Sequence, residues 1–68
     1  MTIELNGRPA ELPDGATIAD AVTATGAESN GRGLAVAVDG DVIPRTDWGA
    51  MTLREGQAVE VVRAVQGG

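Results

Sequence analysis

Cysteine, histidine, lysine, tyrosine and phenylalanine are absent from this chain of 68 residues, and Trp48 is its single aromatic residue. Without cysteine or histidine the common zinc, iron-sulfur, disulfide, thiol-nucleophile and imidazole-base chemistries drop out. Without lysine there is no side-chain amine of the kind that usually accepts an acyl group from another protein. Positive charge is scarce: five arginines (Arg8, Arg32, Arg45, Arg54 and Arg63) face 10 acidic residues, for a formal net charge of -5. Nucleic-acid binders of this size carry a basic face, so the balance argues against phosphate backbones as partners. No apolar run is long enough to span a bilayer, and Met1 opens onto Thr2-Ile3-Glu4 rather than a basic leader, which predicts a cytoplasmic protein with no membrane partner. What is present is a globular composition, 43% hydrophobic, in a length that holds one domain. A core of that size is near the lower limit for a fold without disulfide or metal support, and it leaves little material for the walls of a catalytic cleft.

The pattern along the chain predicts strand, strand, helix, strand, strand, strand. Ile3 and Leu5 alternate with Thr2 and Glu4 as in a half-buried strand over 2–6. Asn6-Gly7 supplies the positive backbone angles of a hairpin turn, and Arg8 to Leu12 returns, with Pro9 suited to an edge because it donates nothing to a ladder. Pro13-Asp14-Gly15 is a turn. Thr17 is then an N-cap with Asp20 three residues on, and Ile18, Ala21, Val22 and Thr25 recur at helical spacing until Gly26 stops the helix. Ala27 to Gly33 reads as a loop. Leu34 to Val38 is a strand with Leu34, Val36 and Val38 on one face and Ala35 and Ala37 on the other. Asp39-Gly40 is a second hairpin signal, followed by a short strand from Asp41 to Pro44. Thr46 to Ala50 reads as a turn or a single tight helical turn carrying Trp48, and Leu53 to Gly56 as another turn. Ala58 to Val65 is the longest strand, Val59 and Val61 facing one way and Glu60 and Val62 the other. The fold class is α+β, a mixed sheet with one helix packed across one face. Residues 1–65 make the domain and 66–68 a flexible tail. The expected core is Ile3, Leu5, Ile18, Val22, Leu34, Val36, Val38, Leu53, Val59 and Val61.

No ordinary catalytic constellation emerges. Asp39 and Asp41 flank a turn tip and lack the further ligands a metal needs, so a solvated turn is the better reading and no metal site is expected. Asn30-Gly31-Arg32-Gly33 lacks the lysine and the strand-to-helix context of a phosphate loop. Trp48 reads as a cap over the small core, with an interface anchor as the alternative. The terminal Gly67-Gly68 is more informative. A glycine pair that follows a long strand projects a main-chain carboxylate beyond the domain with no side chains in the way, as a tail that threads a narrow channel would need. An ordinary frayed terminus is the competing reading.

The run Ala35-Val36-Ala37-Val38-Asp39-Gly40-Asp41-Val42-Ile43-Pro44-Arg45, with Trp48, Leu53-Arg54-Glu55-Gly56, Glu60-Val61-Val62 and the final Gly67-Gly68, resembles the thiamine-biosynthesis sulfur-carrier proteins of the ThiS type. The opening, with Asn6-Gly7, Leu12-Pro13-Asp14-Gly15, Thr17-Ile18 and Asp20, is similar as well. The likeness covers essentially the whole chain. Asp39 departs from the family's frequent Asn before the glycine, and either residue suits that turn. The resemblance implies a ubiquitin-like β-grasp fold and a carrier rather than an enzyme. It implies that Gly68 is the reacting residue, its carboxylate adenylated by a ThiF-type enzyme that uses ATP and Mg, and then converted to a thiocarboxylate. The sulfur would come from a donor such as a cysteine desulfurase and pass to thiazole synthase of the ThiG type. No cofactor is bound in this reading; the acyl-adenylate is transient. Gln66 and Gly67 would thread the partner's active site, Gly67 as a steric requirement.

Other pathways use the same fold and tail, among them molybdopterin, cysteine, transfer-RNA and natural-product thiolation. A ubiquitin-like protein modifier and a passive β-grasp interaction domain are further alternatives. In the carrier reading the sheet face opposite the helix is the docking surface, with Ala35, Ala37, Val62 and Ala64 forming a smooth patch rimmed by Glu60 and Arg63.

Overall fold

The computed structural model describes residues 1–26 and 33–63. Alternation of side chains produces β1 (Thr2–Leu5), and Asn6 and Gly7, at φ 52° and 82°, turn the chain back into β2 (Arg8–Glu11). The pair is antiparallel, with Ile3 opposite Ala10 and Glu4 opposite Pro9. Pro9 lies on an outer strand, where its missing N–H leaves no gap in a ladder. The second hairpin repeats the device: β3 (Leu34–Val38) and β4 (Asp41–Ile43) are joined by Asp39 and Gly40 at φ 50° and 89°. Positive φ at both central residues gives the turn the twist that matches flanking strands. β5 (Ala58–Arg63) then enters the middle of the sheet, parallel to β1 and antiparallel to β3. The strand order is β2-β1-β5-β3-β4.

One helix, α1 (Ile18–Ala24), lies across this mixed sheet, which is the β-grasp arrangement. Seven residues form a marginal helix on their own, so its start is secured by specific partners. The Thr17 hydroxyl accepts from the Asp20 N–H while the Asp20 carboxylate accepts from the Thr17 N–H at 2.9 Å. The next two N–H groups, which have no partner inside the helix, donate to other parts of the fold: Ile18 to the Met51 carbonyl and Ala19 to the Trp48 carbonyl, both at 3.1 Å. Gly26, at φ 84°, ends the helix in the left-handed conformation.

The core consists of Ile3, Ala16, Ile18, Ala21, Val22, Val36, Val38, Trp48, Leu53 and Val59. Three residues expected inside it, Leu5, Leu34 and Val61, are only partly buried at its margin. A helix of seven residues is about 10 Å long and does not cover the full length of the strands beneath it. Leu34 and Val61 accordingly line a groove beside the helix C-terminus together with Thr25, Gly26 and Arg63. Trp48 follows a 3₁₀ turn (Arg45–Asp47) and is buried, its indole N–H donating to the Ile43 carbonyl at 2.9 Å. It is therefore a core residue and not an exposed anchor. β2 stops at Glu11, one residue short of the expected end, and β4 stops at Ile43, where Pro44 begins the 3₁₀ turn. The loop expected at 27–33 and the last part of the expected 58–65 strand lie, apart from Gly33 and the residues up to Arg63, outside the described residues. Among the described residues no helix is long and apolar enough to cross a membrane.

Candidate functional site: the open sheet face and the end of the central strand

The pleat of each strand sends alternate side chains away from the helix, and the pairing register places them side by side. On β3 and β5, Ala35 is opposite Val62 and Ala37 opposite Glu60; on β3 and β4, Ala37 is opposite Val42. Three of the four expected docking residues, Ala35, Ala37 and Val62, are thus brought together, while Ala64 lies outside the described residues. Val62 is 57% exposed and Val42 74% exposed, so the patch presents branched apolar side chains to water over a floor of small alanines. Val42 was not among the expected residues. The register of a two-residue turn at Asp39-Gly40 sets it beside Ala37, and that register was available in the sequence.

Arg63 does not rim this patch. It follows Val59 and Val61 in the alternation, pairs with Leu34 in register, and lines the groove on the helix side. Arg8 is likewise opposite Leu5, a residue packed at the core margin. The open face instead becomes acidic toward β1 and β2, where Glu4 stands beside Ala58 and Pro9, and Glu11 beside Thr2. It is divided into an apolar half over β3, β4 and the end of β5 and an acidic half over β1 and β2.

β5 carries the chain toward residues 64–68, and both hairpin turns bind it through their first residue. At its start, the Asp39 carboxylate accepts from the Ala58 N–H at 2.9 Å and from the Gln57 side-chain amide at 3.4 Å, while the Asp39 N–H donates to the Ala58 carbonyl. This is a structural use of Asp39, and among the described residues no cluster of three potential metal ligands forms. Further along, Asn6 donates its N–H to the Val59 carbonyl at 2.9 Å and accepts from the Val61 N–H at 2.8 Å through its side-chain oxygen. Gln66, Gly67 and Gly68, the expected tail and reacting residue, lie outside the described residues, as does the Asn30-Gly31-Arg32 stretch. No polar or charged residue is buried among the described ones.

The family model described as the ThiS family matches residues 3–68. The chain belongs to the ThiS family. The five-stranded sheet and the one α-helix of the described residues are those of a ubiquitin-like β-grasp sulfur carrier. The fold is similar to the crystal structure of the thiamine biosynthesis protein (ThiS) from Geobacter metallireducens, with a TM-score of 0.81, 24% sequence identity and full coverage of both chains. It is also similar to the NMR solution structure of a thiamine biosynthesis protein from Geobacter metallireducens, with a TM-score of 0.78, 24% identity, and coverage of 100% of this chain and 88% of that one. At that identity the two likenesses speak for the fold alone. No curated protein matches the chain. The domain is small and carrier-like, as its family membership leads one to expect.

Proposed function

We propose that this protein carries sulfur as a thiocarboxylate on Gly68 and donates it for thiazole formation in thiamine biosynthesis, as a cytoplasmic co-substrate and not an enzyme. The observation that carries the reading is that the family match runs through the final Gly67-Gly68. A carboxylate resists nucleophiles because of its charge and resonance. A ThiF-type adenylating enzyme, with ATP and Mg, would join it to AMP and release pyrophosphate, which turns one carboxylate oxygen into part of a good leaving group. The terminal sulfur of a persulfide, made by a donor such as a cysteine desulfurase, attacks the carbonyl and AMP departs. Cleavage of the resulting acyl disulfide by a thiol leaves the thiocarboxylate on Gly68. ThiG-type thiazole synthase receives the sulfur.

In this scheme the chain contributes a reacting atom and a surface. Gln66 and Gly67 pass through the partner's channel, where Gly67 leaves room that a side chain would fill. The open sheet face docks the adenylating enzyme through Ala35, Ala37, Val62 and Ala64, with Val42 extending the patch. Continuity supports that assignment: Val62 lies on β5, the strand that precedes residues 64–68 in sequence, so a partner seated there needs little span to reach the terminus. The acidic half of the face suits a partner with a basic flank.

The test is intact-protein mass after incubation with the adenylating enzyme, ATP and a sulfur donor, followed by thiazole formation with the synthase. The protein should become heavier by the exchange of one sulfur for one oxygen and should support product formation. Sulfur gain without use by the synthase would place the carrier in another pathway, and ATP-dependent ladders on target proteins would make it a modifier.

A further inference from the structure

We propose that Asn6 is a positioning residue for sulfur loading: its side-chain carbonyl substitutes for a missing backbone acceptor and fixes the root of the C-terminal tail. The inference rests on the carrier reading above. β1 and β5 are parallel, with Glu4 beside Ala58 and Leu5 beside Val59. Their ladder advances through Glu4 N–H to the Gln57 carbonyl and Asn6 N–H to the Val59 carbonyl, each at 2.9 Å. In a continuing parallel strand the next bond would run from the Val61 N–H to the backbone carbonyl of the residue at position 6. Asn6 has left the strand conformation, at φ 52°, to begin the hairpin turn. Its side-chain oxygen takes the vacated place and accepts from Val61 at 2.8 Å.

One residue therefore answers two demands. The turn requires a left-handed backbone, which Gly, Asn and Asp all provide at modest cost. The extra bond to Val61 requires an acceptor two bonds out on the side chain, which Gly lacks. On its other edge β5 is held by β3 as far as Arg63, opposite Leu34. Among the described residues Asn6 makes the last bond on the β1 edge, so that β5 is gripped from both sides near Val61. Loss of that bond leaves the last residues of β5 held from one edge only. The partner enzyme must then order them again each time it takes the tail.

Asp39 provides an internal control. It also combines positive φ with a side-chain bond to β5, but to Ala58, at the end of the strand remote from the tail. Asn6→Gly and Asp39→Gly both keep the turn and remove one side-chain acceptor. Only the first touches the root of the tail.

The experiment compares sulfur loading by the adenylating enzyme and sulfur donor for the full chain, Asn6→Gly, Asn6→Asp and Asp39→Gly, at a temperature where all are folded. Asn6→Gly should lower kcat/KM by about fivefold, the factor that corresponds to one intramolecular hydrogen bond, and should speed amide exchange at Val61. Asn6→Asp, which restores the acceptor, should recover most of the rate. Asp39→Gly should lose stability but load at the normal rate. Equal loading by Asn6→Gly and the unaltered chain overturns the proposal, as does an equal loss in Asp39→Gly, which would reduce Asn6 to general support. If the unaltered chain gains no sulfur, the carrier reading itself has failed, and the two failures are distinct.

Discussion

The two faces of the sheet come from the same strands, and residues adjacent in sequence serve opposite ends. Toward the helix stand Ile3, Val36 and Val59, no more than 1% exposed; away from it stand Val42 and Val62, 74% and 57% exposed. Along β5 the assignment changes at every residue, from Val59 in the core to Glu60 on the open face, to Val61 at the margin and Val62 in the patch. In the proposed scheme stability and recognition are separable in a domain of this size, because the pleat gives each its own set of side chains. Substitution on one face should alter folding, and on the other should alter partner recognition.

The largest effect on stability is expected from Trp48→Ala. The residue belongs to the buried core cluster, and its indole N–H bonds the Ile43 carbonyl. Its removal should cost about 3 to 5 kcal/mol, comparable to the whole stability of a domain this small. Loss of the dispersed amide spectrum at room temperature checks this, and a native spectrum would mean that the indole is peripheral. Val36→Ala comes next, at about 1 to 3 kcal/mol, read as a lower denaturant midpoint. An unchanged midpoint would mean that the buried face has been assigned wrongly. Val62→Asp should change the stability by no more than about 0.5 kcal/mol, since the side chain is largely in water, while adenylation by the partner falls severalfold. Should adenylation proceed at the same rate, the open face is not where that partner docks.

Much of this was legible in the sequence because the signals were local. Asn6-Gly7 and Asp39-Gly40 each specify a turn within two residues, and Thr17 with Asp20 specifies a helix start within four. Strand alternation alone put Ala35, Ala37 and Val62 on a common face. Contacts between distant segments were not legible. Trp48 looked like a cap because nothing nearby in sequence announced that its carbonyl would receive the Ala19 N–H and its indole would reach back to Ile43. Ala16 and Ala21 are buried with the core, at positions where a small side chain is an asset that hydrophobicity undervalues. Asn6 read only as a turn residue, since its second partner, Val61, is 55 positions away. Arg63 was placed at the rim although its parity with Val59 and Val61 put it on the helix side, a reading the alternation itself contradicted.

In the proposed scheme the chemistry resides in Gly68 and the folded domain serves recognition. The most direct measurement compares the full chain with one lacking Gly68 in the adenylation and sulfur-transfer reaction, read by intact mass. Deletion draws the carboxylate back by about 3.5 Å, one residue of extended chain, far more than a positioned attack tolerates. The shortened protein should fold with the same denaturant midpoint, while its rate of sulfur gain falls by orders of magnitude. A shortened chain that acquires sulfur at its terminus as fast as the full one would contradict it.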